Sequence, residues 1–111
     1  MRTLIIALAV IGWATASVAH QLIVFAFVED GAVIVETKFS TGKIPISGEV
    51  RIFDAENTLL LTLPLEKDGT VRFPLDPDAS TQGLSIEVET SEGHDNYWVL
   101  TPDDIERGTE N

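Results

Sequence analysis

The chain has 111 residues, 18 acidic against 7 basic, and a formal net charge of −11. Such a field concentrates cations and repels polyanions, which excludes nucleic acid as a partner. There is no cysteine and the single methionine is Met1, so a disulfide framework and the sulfur donors of a Cu(I) carrier are excluded too.

The first element is a leader. Met1-Arg2 and the apolar run from Leu4 to Trp13 read as the n- and h-regions of a secretory signal peptide, too short for a membrane span. Small residues at Ser17-Val18-Ala19 mark a cleavage site, which assigns residues 1–19 to the signal peptide. The product is expected to be exported, periplasmic or extracellular, and bacterial. Ala14-Thr15-Ala16 is a competing site that would leave His20 fourth in the mature chain; a strand pattern starting at once after His20 favours the Ala19 cut.

Removing residues 1–19 leaves 92, enough for one domain with one core, placed at 20–102. Leu22 to Val28 is an apolar run of strand length, and Glu29-Asp30-Gly31 closes it with an Asp-Gly turn. From Val33 to Phe39, Val33, Val35, Thr37 and Phe39 alternate with Ile34, Glu36 and Lys38. A loop at 40–45 leads to a third strand, Glu49 to Phe53, and a turn at 54–57 leads to Thr58 to Leu63. A second Asp-Gly turn, Asp68-Gly69, precedes Val71-Arg72-Phe73, and two prolines make 74–82 a loop. Leu84 to Thr90 alternates with period two, and His94 to Thr101 forms the last strand. Thr101-Pro102-Asp103-Asp104 reads as a helix start, with 103–111 as a short helical turn and a frayed tail. The pattern predicts an all-β fold, a single seven-stranded Greek-key β-sandwich after a cleaved signal peptide, with no membrane helix in the mature chain.

No Gly-x-Ser-x-Gly, no His-Glu-x-x-His and no glycine-rich phosphate loop occurs, so the chain does not read as an enzyme. The two histidines carry the remaining chemistry. Cleaved after Ala19, the protein starts with His20, which offers an imidazole and an α-amine of pKa about 7.7–8.0 that can chelate a divalent ion. His94 stands two residues after Glu92 and beside Asp95, which adds oxygen donors. Glu36 falls near Val24 or Phe25 if the first two strands pair, several residues from His20, and the residue opposite His20 is then near Ser40 or Thr41.

The segments Ala19-His20-Gln21-Leu22-Ile23-Val24-Phe25-Ala26-Phe27, Glu36-Thr37-Lys38-Phe39-Ser40 and Gly93-His94 to Trp98, in that order, resemble a known family. This is the small exported accessory component (the NikL-type subunit, or nickel transport protein) of energy-coupling-factor nickel and cobalt transporters. The resemblance implies a transthyretin-like or carboxypeptidase-regulatory-like sandwich that assists a membrane permease, with Ni(II) or Co(II) as cargo. It places His20, His94 and Glu36 at matching positions. Many relatives also carry a C-terminal membrane helix, for which this sequence has no counterpart. Two other readings stay open: a Cu(II)-binding periplasmic protein of the N-terminal-histidine kind (Zn(II) suits the same donors), and a metal-free sandwich that binds another protein through a sheet edge or loop.

Overall fold

A computed structural model describes residues 21–109; His20 and the leader assigned to 1–19 lie outside them. β1 (Leu22–Glu29) and β2 (Ala32–Phe39) form a hairpin in which Leu22 opposes Phe39 and Glu29 opposes Ala32. Asp30 and Gly31 between them both take positive φ, 51° and 77°. That is the geometry a two-residue type I′ turn needs, and it fixes the register of the whole hairpin.

β3 (Gly48–Asp54) and β4 (Leu59–Pro64) follow. The Asp54 carboxylate closes their turn by accepting the Glu56 and Thr58 backbone N–H groups at 2.9 Å each. β5 (Thr70–Pro74) crosses over to pair with β2, and β6 (Leu84–Thr90) and β7 (Asp95–Leu100) form a second long hairpin. The result is two antiparallel sheets, β1-β2-β5 and β4-β3-β6-β7.

Alternation then assigns the faces. Val24, Val33 and Val35 from one sheet and Val50, Ile52, Ile86 and Val88 from the other share a single core, all at most 4% exposed. Burying each of these side chains contributes about 1.5–3 kcal/mol before entropy is counted. The architecture is an all-β sandwich.

The C-terminal segment departs from expectation. In place of one turn and a frayed tail, α1 (Pro102–Thr109) runs for 8 residues, through Arg107. Its start is a reciprocal cap: Asp104 N–H donates to Thr101 Oγ1, and Thr101 N–H donates to Asp104 Oδ2, both at 3.1 Å. Arg107 then bridges Asp104 at 2.6 Å one turn later. Ile105 packs on the core, and Gly108 lies so close to Val28 that a Cβ there would strike the Val28 backbone carbonyl. Docking of this kind stabilises a helix too short to persist alone. Among the described residues no helix is long and apolar enough to cross a membrane.

Candidate metal site

Where β1 begins, the hairpin continues one residue past the strand. Ser40 N–H donates to the Gln21 carbonyl at 2.8 Å, and Gln21 N–H donates to Ser40 Oγ at 3.2 Å. Gln21 is therefore held at a defined place, opposite Ser40.

The β6–β7 turn comes to the same end of the sandwich. Thr90 N–H donates to the His94 carbonyl at 2.8 Å, and Gly93 N–H donates to the Thr90 carbonyl at 3.0 Å. Gly93 takes φ 88°, the left-handed position that closes a three-residue hairpin loop. The Thr90 hydroxyl accepts from His94 N–H and donates to the His94 carbonyl, each at 3.2 Å. The backbone of His94 is thus held by three hydrogen bonds, all to Thr90. Its ring stands edge-on to Phe39, with centroids 5.2 Å apart and planes at 72°. Among the described residues its ring nitrogens make no hydrogen bond.

One bond ties the two segments together. Asn96 Nδ2 donates to the Leu22 carbonyl at 2.8 Å, from the second residue of β7 to the first residue of β1. Both are edge strands of different sheets, so this side-chain bond replaces a ladder at the corner of the sandwich. The outcome is an open surface depression lined by Gln21, Ile23, His94, Asp95 and Asn96.

The other expected residues divide. Asp95 is exposed on the rim of the depression, at the first position of β7. Glu92 is at the tip of the same turn, exposed, with Ser91 Oγ at 3.5 Å from its carboxylate. Glu36 is elsewhere. It opposes Phe25 on the outward face of β2, three residues along from Phe39 and so about 10 Å away along the strand. Among the described residues no three His, Cys, Asp or Glu side chains are grouped to hold a metal. His20, the residue before Gln21, lies outside that set.

Trp98 is half-buried against the core, edge-on to Phe25 at 5.0 Å. Sequence reasoning missed Asn96, Phe39 and Gln21 as parts of this corner. For Asn96 the available signal was a polar residue at an inward-parity position between His94 and Trp98. A nearby acidic patch is already partly neutralised: Arg51 meets Glu49 at 2.7 Å, Glu89 at 3.4 Å and Glu87 at 3.7 Å. The hydrogen bond to Glu49, foremost, raises the Arg51 pKa further.

Comparison with protein-family models, with curated proteins and with solved structures gives no match for this chain.

Proposed function

We propose that the protein is an exported divalent-metal-binding accessory factor that captures Ni(II) or Co(II) for uptake through a membrane permease. In this reading the sandwich is a seven-stranded Greek-key fold of the transthyretin-like or carboxypeptidase-regulatory-like kind. His20, exposed by cleavage after Ala19, gives its α-amine and imidazole. His94 gives a third nitrogen, and Asp95 or Glu92 gives oxygen.

The observation that carries the proposal is the shared depression of Gln21 and His94, clamped by the bond from Asn96 to Leu22. Residue 20 is one peptide unit from Gln21, and consecutive Cα atoms are about 3.8 Å apart. The start of the described chain and the His94 turn border one depression, which supports a site shared by the mature N-terminus and His94. A neutral imidazole presents one lone pair to a metal, and the fixed backbone of His94 limits the entropy lost on binding. Binding must displace a proton from the α-amine, so affinity rises with pH through the amine pKa of about 7.7–8.0. The ligand set alone favours Cu(II) over Ni(II). The choice of nickel or cobalt rests on the family resemblance.

Isothermal titration of the processed protein and of His94→Ala with Ni(II) tests this. Removal of one of three nitrogen donors is expected to weaken binding at least tenfold. Equal affinity in the two proteins contradicts the site.

A further inference from the structure

The main chain of Gln21 turns both of its polar groups toward the end of β2. Ser40 N–H donates to the Gln21 carbonyl at 2.8 Å, and Gln21 N–H donates to Ser40 Oγ at 3.2 Å. Main-chain groups along a paired strand point alternately to its two sides. Leu22, the next residue, accordingly turns its carbonyl the other way, to Asn96 Nδ2 on β7. His94 and Asp95 stand at the start of β7, on that second side. The Gln21 amide nitrogen therefore faces away from them.

A peptide nitrogen binds a metal only in place of its proton, so the ion stands along the former N–H direction. At Gln21 that direction leads into the space between two paired segments, which in a sheet lie about 4.7–4.9 Å apart. Ser40 Oγ already occupies it. An ion seated there would lie on the wrong side of β1 for the His94 ring.

We propose that the pairing of Gln21 with Ser40 withholds the first peptide nitrogen of the mature chain from the metal. The ion is then held by the terminal amine, the two imidazoles, and carboxylate and water oxygens, in octahedral rather than square-planar geometry. The inference rests on the His20–His94 site proposed above and adds the geometry of its cargo. That geometry acts as a filter. Square-planar or tetragonal nitrogen sets suit Cu(II) and Ni(II), and at a peptide N-terminus the amide nitrogen is the donor that completes such a set. Without it the advantage of Cu(II) narrows. Ni(II) and Co(II) then meet the mixed nitrogen and oxygen donors that octahedral ions accept, with water in positions open to exchange, which suits a cargo that is passed on.

Visible absorption and magnetic susceptibility of the processed protein loaded with Ni(II) provide the test, at a pH above the amine pKa of about 7.7–8.0. The complex should be paramagnetic, with the weak bands of octahedral Ni(II). Gln21→Pro, which has no N–H at that nitrogen, should leave both the spectrum and the Ni(II) affinity unchanged. A diamagnetic, square-planar complex in the wild type overturns the proposal, and this readout decides even if the proline variant misfolds. A spectrum that changes from square-planar to octahedral on Gln21→Pro overturns it as well. Tight square-planar binding would keep the His20–His94 site and refute its geometry. No Ni(II) binding by the wild type would remove the site itself, and this inference with it.

Discussion

Replacing Asn96 by Ala removes the one side-chain bond that spans from β7 to the first residue of β1. The donor–acceptor distance is 2.8 Å and the bond is partly buried, so its net contribution lies in the ordinary range of about 0.5–1.5 kcal/mol. Ala also removes Asn96 Oδ1, which accepts the Tyr97 backbone N–H at 2.8 Å on an exposed strand, where water takes over at little cost. The expected loss is about 1 kcal/mol, or about 4–8 °C in Tm for a domain of this size. Scanning calorimetry measures it directly. The functional effect is separate. If the bond holds the start of β1 beside His94, its loss should weaken Ni(II) binding by up to about tenfold, since 1.4 kcal/mol is one decade. An unchanged Tm together with unchanged Ni(II) affinity would refute the role given to this corner.

Gly69→Ala should destabilise the fold by more than 1 kcal/mol, on the order of the left-handed backbone penalty plus a clash. Gly69 has φ 80°, and a Cβ there would sit 2.8 Å from both the Thr37 carbonyl oxygen and Ile44 Cγ2; a denaturant midpoint equal to wild type would contradict this. The docking of α1 should weaken in acid. The Asp104 carboxyl is held below its usual value first by the Thr101 backbone N–H, then by the Thr101 side chain, with Arg107 adding a smaller share. A carboxyl depressed in the folded state contributes stability that is fully present above its unfolded pKa of about 3.9 and is lost as pH falls through the folded value. Amide exchange in α1 against pH should show this loss below about pH 4, and Asp104→Asn should abolish the pH dependence; α1 protection that is flat with pH in the wild type would contradict it.

Much of the fold was readable because its turns are written in the residues. Asp30-Gly31 demands positive φ, and that single dipeptide sets the β1–β2 register, including Phe25 opposite Glu36. The alternation from Leu84 to Thr90 matches the buried and exposed faces of β6 position by position. Sheet membership was not readable. Nothing local to Thr70–Pro74 says that it leaves β4 and pairs with β2; that choice follows from which inner faces fill a common core. The length of α1 was hidden for the same reason, because Ile105 and Gly108 stabilise it through contacts with the sandwich rather than through propensity.

The candidate site was half legible. His94 and Asp95 stand out as donor residues, and the structure places them beside Gln21. What could not be seen was the clamp by Asn96, a long-range bond between residues 74 positions apart. Glu36 shows the converse. It matches a family position, yet strand parity puts it on the outward face, away from the His94 turn.

The central claim, that the first nitrogen atoms of the mature chain meet His94 at a metal, is tested most directly by moving the amine. Ni(II) titration of protein whose mature N-terminus is shown by mass spectrometry to be His20 should be compared with a variant carrying one additional glycine before His20. The account predicts that the added residue weakens binding at least tenfold, because the α-amine no longer chelates with its own imidazole. Identical affinity in the two proteins, or a mature chain that starts at Ser17, would contradict it.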